Sequence, residues 1–546
     1  MTSAPAAPAH STTPSEVDAV VVGAGFAGLY LLWKLRKHGY TAIALDKGKE
    51  VGGTWHWNRY PGARCDVDSH DYSFGFDEDL EQEWEWSERY PSQPELQAYL
   101  SHVADRFDLR RDIRLETTAT EAHFDDTTQK WTVRTDTGAT YVAKFCLMAV
   151  GCLSVPKDVD VPGLENYAGP IYRTSSWPEG GVDFSGLKVA AVGTGSSGVQ
   201  AIPEIAKQAG RLTVLQRTAN FVIPARNHKL DPAYVADIKS NYRERRRLSR
   251  SMPAGCIRDD NPKTAFEVSD EERRAEFEKR WEGGGIAFLG AYVDLMVDQQ
   301  ANDAVSDFIR SKIDEIVTDP DTADSLKPYG YPMGAKRPVV GTDWYETFNR
   351  DNVELVDLRK KQLEAFTAKG MRLADGTEYE FDAVVLATGF DAFTGAFTSM
   401  DIRGRGGRPL TEAWAEGPKT HLGLGTAGFP NMFIIANVGS PSVLANMVTA
   451  IEQHVEWTVE TMDHMRDNGI TTIEATEDAQ EAWVDTVEEI ANTTLWPQGE
   501  SGSWYRGANI EGKPQIFMPY AGGIVLYEET WNEVRNAGYK GFVLQS

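Results

Sequence analysis

The feature of this sequence that most constrains its fold is a glycine-rich turn between a short apolar run and a helix-like stretch. The run VDAVVV (17–22) leads directly into GAGFAG, which extends from Gly23 to Gly28. A helix-like stretch follows, and a second apolar run, 41–45, ends at Asp46. Strand, glycine turn, helix, strand and terminal acid in this order are typical of a βαβ unit that binds a dinucleotide. The chain is therefore predicted to contain a Rossmann-like α/β domain.

Each glycine of this turn has a separate predicted role. Gly23 makes the tight turn, Gly25 lets the backbone approach the pyrophosphate, and Gly28 lets the helix pack on the strand. The helix N-terminus favours the phosphate charge, and Asp46 can accept a hydrogen bond from a ribose hydroxyl. The predicted dinucleotide contacts of this unit are Gly23, Gly25, Phe26, Ala27, Gly28 and Asp46.

A second unit of the same kind begins with LKVAAV (187–192) and continues with GTGSSG, from Gly193 to Gly198. Its second strand, 212–215, is followed by QRT, with Arg217 in the middle, rather than by an acid. A carboxylate there would repel a 2′-phosphate, whereas Arg217 can bind one through charge-assisted hydrogen bonds. The first unit is thus predicted to hold an unphosphorylated ribose and the second NADPH. A solvated surface arginine is the alternative interpretation of Arg217.

Two stretches outside these units carry residues suited to chemistry. The segment 52–66, GGTWHWNRYPGARCD, has paired glycines that permit close approach to a flat ring and aromatic side chains that can enclose it. In the same segment Arg64 and Asp66 can order charge beside such a ring. Farther on, Lys336 and Arg337 fall in a glycine- and proline-broken stretch, which predicts a loop. Adjacent cations on a loop suit a phosphate or a developing anion, and a plain surface-charge role is equally open.

The remaining stretches fix the predicted domain order. Alternating runs within 113–142 indicate a β-meander, and the pattern from 230 to 318 turns helical and strongly charged. The basic run RERRR (243–247) is predicted to be a solvated helix face rather than a nucleic-acid site, since the chain is acidic. The predicted division is a flexible tail (1–15), an FAD-binding domain (16–150 and 381–546), an NADP-binding domain (151–229 and 330–380) and a helical insertion (230–329).

Composition narrows the function classes. The formal net charge of −26 argues against nucleic acid or an anionic membrane as a partner. The four cysteines include no CxxC pair, which fits a reducing cytoplasm and makes a disulfide reductase improbable. No apolar run approaches the ~18 residues expected of a membrane span.

With both dinucleotide units placed, the sequence resembles the flavin-dependent (type I) Baeyer–Villiger monooxygenases, nearest to the phenylacetone and steroid monooxygenase branch. The resemblance rests first on the segment 52–66, which fits the long motif of that family at each fixed position. A second family motif falls at 167–178, where Gly169, Trp177 and Pro178 match. Tyr167 and Arg173 replace the usual Phe and His, a departure expected to affect domain coupling more than reaction class.

The resemblance implies NADPH- and O₂-dependent oxidation of a ketone to an ester or lactone through a flavin C4a-peroxide. Arg337 would be the active-site cation and Asp66 its carboxylate partner. The FAD contacts that the resemblance implies are Gly23, Gly25, Gly28, Asp46, Thr54, Trp55, Tyr72 and Met447. Phe26, Ala27, Gly53, Arg64 and Asp66 are also predicted to bind a cofactor. The implied NADP contacts are Thr194, Gly195, Ser196, Ser197, Gly198, Arg217, Thr218, Lys336 and Trp504. The expected partners are a small-molecule ketone and O₂, with the chain a monomer or weak dimer.

Two other functions stay open on sequence alone. One is a flavin enzyme that oxidises soft nitrogen or sulfur, which would need a neutral hydroperoxide rather than its anion. The other is a non-enzymatic FAD- and NADPH-binding redox sensor.

Overall fold

A computed structural model describes residues 14–157, 161–499 and 502–546. Most of the predicted flexible tail, 1–13, lies outside the described residues, and Ser15 already belongs to the first strand. The predicted α/β class is confirmed, because the described chain folds around two sheets that consist mainly of parallel strands.

The strands are given in chain order. They are β1 (Ser15–Val22), β2 (Ala42–Leu45), β3 (Ile113–Arg114), β4 (Ala119–Asp125), β5 (Lys130–Thr135), β6 (Thr140–Met148), β7 (Ile171–Arg173), β8 (Lys188–Val192), β9 (Arg211–Gln216), β10 (Val222–Pro224), β11 (Val339–Gly341), β12 (Val353–Asp357), β13 (Leu363–Thr367), β14 (Gly370–Leu373), β15 (Glu378–Glu380), β16 (Ala383–Leu386), β17 (Asp401–Arg403), β18 (Met432–Ile434), β19 (Thr472–Ala475) and β20 (Phe542–Gln545).

The α-helices follow the same order. They are α1 (Phe26–Lys37), α2 (Thr54–Trp57), α3 (Glu78–Glu83), α4 (Gln93–Arg106), α5 (Ser196–Ala206), α6 (Pro232–Ser240), α7 (Tyr242–Arg250), α8 (Asp270–Gly283), α9 (Gln299–Ile316), α10 (Pro320–Leu326), α11 (Trp344–Thr347), α12 (Gly395–Thr398), α13 (Leu410–Ala413), α14 (Met447–Asp467), α15 (Glu477–Asn492) and α16 (Gly523–Asn536).

The first sheet contains the first glycine turn. Its strand order is β17-β4-β5-β6-β1-β2-β3, with β18 also paired to β6. β1 pairs in parallel with β2 and β6, whereas β4, β5 and β6 form the predicted antiparallel meander. The turn that begins at Gly23 therefore lies at the carboxyl end of a central parallel strand, where ligands of open α/β sheets bind.

The second sheet contains the second glycine turn. Its order is β12-β9-β8-β16-β7, and all four pairings are parallel. The predicted boundary at 381 falls before β16, but β16 pairs with β8 and β7 of this sheet. The chain therefore returns to the first sheet one strand later than predicted, with β17 and β18.

Two glycines explain how each helix packs on its strand. A Cβ on Gly28 would lie 1.9 Å from the carbonyl oxygen of Gly23, and a Cβ on Gly198 would lie 2.1 Å from that of Gly193. Both distances are far below van der Waals contact, so any side chain would push helix and strand apart. The third glycine of each turn is thus a packing requirement.

The stretch 230–329 contains the five helices α6 to α10. The prediction that the basic run 243–247 is a solvated helix face holds for only part of that run. Arg245 and Arg246 on α7 are mostly buried and form salt bridges with Asp71 and Glu81 of the first domain.

The described residues include all four cysteines and the helices that bear on a membrane span. All four cysteines are buried and unpaired. No helix within the described part of the chain has the length and apolar character to cross a membrane.

Candidate active site

One continuous cavity connects the two glycine turns. It lies between the β1–α1 turn, the segment 52–66 and the start of α5. Sixteen of the predicted site residues line it: Gly23, Gly25, Phe26, Ala27, Asp46, Gly53, Thr54, Trp55, Arg64, Asp66, Tyr72, Ser196, Ser197, Arg337, Met447 and Trp504. Residues far apart in the chain thus line one shared cavity.

The backbone at the first glycine turn is bare toward the cavity. Gly25 faces Gly53, and a Cβ built on Gly53 would lie 3.2 Å from the Cα of Gly25. No side chain caps the N-terminus of α1, so its first amides are not held by a capping group. This pairing of glycines with an uncapped helix start fits the close approach of a pyrophosphate.

Asp46 is fixed at the end of β2 by the backbone. Its Oδ2 accepts a hydrogen bond from the Ala24 amide at 2.7 Å, and its Oδ1 accepts one from the Gly48 amide at 2.7 Å. Each carboxylate oxygen has a second lone pair, so this buried group can still accept from a ribose hydroxyl.

Aromatic side chains form one wall of the cavity. The ring of Tyr72 meets Phe26 edge-on at 5.2 Å and Trp55 edge-on at 5.9 Å. Burial raises the pKa of Tyr72, so its phenol is neutral at ordinary pH. The helix α14 begins at this wall with Met447, and Asn446 caps it by accepting from the Val448 amide at 3.1 Å. The partial positive charge of that helix end therefore lies beside the cavity.

Arg337 and Asp66 form a bidentate ion pair inside the cavity. Nε of Arg337 donates to Oδ2 of Asp66 at 2.7 Å, and Nη2 donates to Oδ1 at 2.9 Å. Burial would raise the pKa of Asp66, but the guanidinium and its hydrogen bonds outweigh burial and lower it. Burial likewise opposes the charge of Arg337, and Asp66 overcomes it, so the pKa of Arg337 is raised. Both groups are charged at neutral pH.

Other contacts fix the orientation of this guanidinium. Nη1 of Arg337 donates to the Val443 carbonyl at 2.7 Å, just before α14. Three of the five guanidinium N–H groups are then used, which leaves donors for a ligand. The Tyr505 hydroxyl also lies beside Arg337, and burial raises the pKa of Tyr505 to about 12. Next to it the Trp504 ring packs 5.6 Å from Phe393 and borders the cavity.

The second glycine turn has an open backbone at the start of α5. A Cβ on Gly195 would meet no atom within 4 Å, and no side chain caps α5. The Thr194 hydroxyl donates to the Thr218 carbonyl at 3.3 Å, which ties the turn to the loop after β9. The side-chain Nδ2 of Asn220 donates to the Thr194 carbonyl at 2.6 Å. Hydrogen bonds from Thr194 and Asn220 therefore hold the turn, while its backbone at Gly195 stays open to a ligand.

Cations gather near the end of β9. Arg217 is exposed and has no carboxylate within salt-bridge distance among the described residues. The Lys336 ammonium lies 5.0 Å from the Tyr331 ring centre, and burial together with Arg217 lowers the pKa of Lys336 to about 8. Lys157, which the sequence patterns did not single out, also has its pKa lowered by burial and by Arg217. Mutual repulsion of this kind indicates a site suited to an anion.

Comparison with known proteins shows which family this chain resembles. A model of the pyridine nucleotide-disulphide oxidoreductase family matches residues 20–280. A phenazine N-monooxygenase of Lysobacter antibioticus is 42% identical, over 97% of this chain and 97% of that protein. A solved structure described as oxidized steroid monooxygenase bound to NADP is 49% identical, with a TM-score of 0.93, over 97% of this chain and 100% of that chain. A Baeyer–Villiger monooxygenase of Pseudooceanicola batsensis is 41% identical, over 97% of each.

The chain belongs to the flavin-dependent Baeyer–Villiger monooxygenases. In this monooxygenase the predicted residues outside the cavity lining are Gly28, Thr194, Gly195, Gly198, Arg217, Thr218 and Lys336. Gly28 and Gly198 act in packing, and the other five belong to the second turn or to the cation group beside it.

Arg64 lines the cavity, and its guanidinium is held on the side of Glu88 and Tyr90. It donates to Glu88 at 2.9 Å and to the Tyr90 carbonyl at 3.1 Å. Its own carbonyl accepts from Gln200 Nε2 at 3.1 Å. Arg64 therefore also joins the segment 52–66 to α5 through its backbone.

Sequence reasoning missed some residues that shape this site. Gln200 on α5 accepts a hydrogen bond from the Tyr60 hydroxyl at 2.8 Å, which links the two dinucleotide units. Nothing in the sequence indicates that contact, because it depends on how the two sheets face each other. Asn446 could have been found, since an asparagine just before an apolar-periodic helix is an ordinary N-cap signal.

Proposed function

We propose that this monooxygenase uses NADPH, FAD and O₂ to oxidise a ketone to an ester or lactone in the cavity that holds Arg337 and Asp66. One observation carries the proposal: a permanently charged guanidinium is fixed by a bidentate carboxylate in a cavity that borders two dinucleotide turns. FAD fits the first turn with Asp46 at its ribose. NADPH fits the second turn, with its 2′-phosphate near Arg217 and Lys336.

Arg337 and Asp66 have separate roles in this proposal. Bound FAD, once reduced by NADPH, would activate O₂ and supply the oxygen atom that enters beside the carbonyl. Arg337 stabilises negative charge as it develops on the reacting oxygen atoms, because its donors are oriented before the reaction begins. Asp66 keeps the guanidinium in place and prevents it from turning toward a phosphate. Tyr72, Trp55 and Met447 at the start of α14 line the same cavity and would border the flavin ring when FAD is bound.

N-oxidation is the second candidate, since one relative is a phenazine N-monooxygenase. The fixed cation favours the ketone reaction, because attack on a carbonyl needs a nucleophilic oxygen anion that Arg337 can stabilise. Purified enzyme with NADPH and ¹⁸O₂ is offered cyclohexanone, a steroid ketone and phenazine in parallel. The proposal expects one ¹⁸O atom in an ester or lactone for each NADPH consumed. Exclusive formation of a phenazine N-oxide would contradict it.

The proposed partners are the ketone and O₂, and neither nucleic acid nor a membrane is proposed as a partner. The proposed location is the cytoplasm. We propose a monomer or weak dimer, which light scattering of the purified holoenzyme tests directly.

Arg217→Ala is expected to raise the KM for NADPH roughly 10- to 100-fold, because a hydrogen bond to a charged group contributes about 1.5–3 kcal/mol. The KM for NADH should change little, since NADH has no 2′-phosphate for Arg217 to bind. Steady-state kinetics with both nucleotides measure this difference. An equal increase for NADH and NADPH would remove the 2′-phosphate assignment.

The pH dependence of NADPH binding is expected to follow Lys336. Its lowered pKa of about 8 means that the ammonium is charged below that pH and is progressively lost above it. Between pH 7 and 9.5 the KM for NADPH should therefore stay flat at first and then rise by up to about tenfold per pH unit. Lys336→Arg should flatten this profile, because arginine keeps its charge. A rise that persists unchanged in Lys336→Arg would assign the titration to another group.

A further inference from the structure

The segment 66–75 faces the proposed flavin site but has no regular secondary structure of its own. Asp66 at its start binds Arg337, and Tyr72 packs against Trp55 and Phe26. Only a few residues separate these two groups, so a shift of the segment moves both. One backbone hydrogen bond, from the Ser69 amide to the Arg89 carbonyl at 2.8 Å, ties it to the rest of the chain, and side-chain anchors supply its other hydrogen bonds to neighbouring elements.

Asp71 is a buried, charged anchor of this segment. Only 1% of its side chain is exposed, and its oxygens accept from Nε of Arg245 at 3.1 Å and from Nη2 of Arg245 at 2.8 Å. Its carbonyl accepts from Asn446 Nδ2 at 2.6 Å. Asn446 also caps α14. Asp71 is therefore held from both sides, by α7 and by the helix that begins at the cavity.

The neighbouring arginine binds the same segment. Nη2 of Arg246 donates to the Ser73 hydroxyl at 2.8 Å and to the Phe74 carbonyl at 3.2 Å. Its Nε donates to Glu81 at 2.7 Å. Two consecutive residues of α7 thus contact the residues on both sides of Tyr72.

Arg247 provides an internal contrast. Its side chain is 68% exposed and pairs with Glu244 of the same helix. Arg247 thus lies in solvent, whereas an inner pair, Arg245 and Arg246, binds the segment 66–75 and a further cation, Arg250, binds Glu452 and Glu456 of α14. A solvated helix would not need the inner pair.

Asp71 depends on these cations for its charge. Burial raises its pKa, and Arg245 and Arg246 oppose that rise. Loss of Arg245 would leave a carboxylate buried beside one remaining cation that is already bound to Glu81. Such a group either takes up a proton or moves toward water, and either change weakens the attachment of the segment to α7.

We propose that Arg245 is a positioning residue: through Asp71 it fixes the segment that aims Asp66 and Tyr72, so that NADPH oxidation stays coupled to oxygen insertion. Arg245 is not among the residues that line the cavity. The inference rests on the proposed function for its catalytic consequence. When coupling fails, NADPH, a proton and O₂ give NADP⁺ and H₂O₂, so the lost product reappears as hydrogen peroxide.

The test compares Arg245→Gln with the matched control Arg247→Gln in the full-length holoenzyme, with a ketone that the wild type oxidises. Arg245→Gln is expected to keep FAD and to oxidise NADPH within about threefold of the wild type. Its ester formed per NADPH should fall about 10- to 100-fold, with H₂O₂ rising to match, as expected when reacting groups are displaced by about 1 Å. Arg247→Gln should retain wild-type coupling. Equal coupling in all three proteins, or an equal loss in both variants, would overturn the proposal.

A double variant and a spectroscopic measurement complete this test. If Arg245→Gln is unstable, Arg245→Gln with Asp71→Asn removes the orphaned charge, and it should recover folding but not coupling. Visible circular dichroism of the bound flavin gives a readout that needs no product. It should change in Arg245→Gln and not in Arg247→Gln, even if the ketone proves not to be a substrate. An unchanged flavin signal in Arg245→Gln, with only a lower Tm, would reduce Arg245 to a stabilising role.

Discussion

Arg337→Ala is expected to lower ester formation by about 100- to 1,000-fold while NADPH oxidation continues. The reason is that Arg337 supplies oriented donors to oxygen atoms that gain negative charge, and loss of one such donor costs about 2.7–4 kcal/mol in the barrier. NADPH reduction of the flavin does not need that charge, so electrons should pass to O₂ and appear as H₂O₂. Product analysis together with NADPH and H₂O₂ assays measures both outcomes.

Two variants serve as controls for this result. Arg337→Lys keeps a cation but loses the bidentate geometry to Asp66, so it should retain only part of the activity. Asp66→Ala leaves the guanidinium buried and unpaired, and it should lose activity through misplacement of Arg337. Ester formation near the normal rate in Arg337→Ala would refute the assigned role of the cation.

Much of the fold could be predicted because local signals are strong at the glycine turns. In both units an apolar strand, a glycine turn and a helix follow one another without interruption, and the structure has β1–α1 and β8–α5 at those places. The boundary before β16 was misplaced for a physical reason. A buried parallel strand has the same apolar pattern in either sheet, so the sequence does not indicate which sheet it joins.

The site was less accessible to sequence reasoning. Arg337 and Asp66 are 271 residues apart, and no spacing rule links them. Only the family resemblance paired them, and the geometry now places them in contact. The basic run on α7 shows another limit of sequence reasoning. Charge alone cannot distinguish Arg247, which lies in solvent, from Arg245, which binds a buried carboxylate. Burial of the partner decides the role, and burial is a property of the assembled domains.

Gly25→Ala is expected to give a folded protein that binds FAD more weakly than the wild type. In the chain itself a Cβ at this position would lie 3.5 Å from the Cα of Gly53, an ordinary contact, so the turn can accept the methyl group. That methyl group would occupy the space through which a pyrophosphate reaches the backbone and α1. Overpacking of this kind costs about 1–3 kcal/mol, which corresponds to a roughly 5- to 150-fold weaker FAD complex. Absorbance near 450 nm and an FAD titration of the apoprotein measure it.

Gly28→Ala provides the comparison, because it adds the same methyl group three residues along the same turn. There the Cβ would lie 1.9 Å from the Gly23 carbonyl oxygen, so the helix must move off the strand whether or not FAD is present. The apoprotein of Gly28→Ala should lose several kcal/mol of unfolding free energy, whereas that of Gly25→Ala should stay close to the wild type. Gly180→Ala, whose Cβ would meet nothing within 4 Å, controls for the substitution itself. If Gly25→Ala binds FAD as tightly as Gly180→Ala does, the dinucleotide does not approach the backbone at this turn, and the cofactor assignment of the first unit fails.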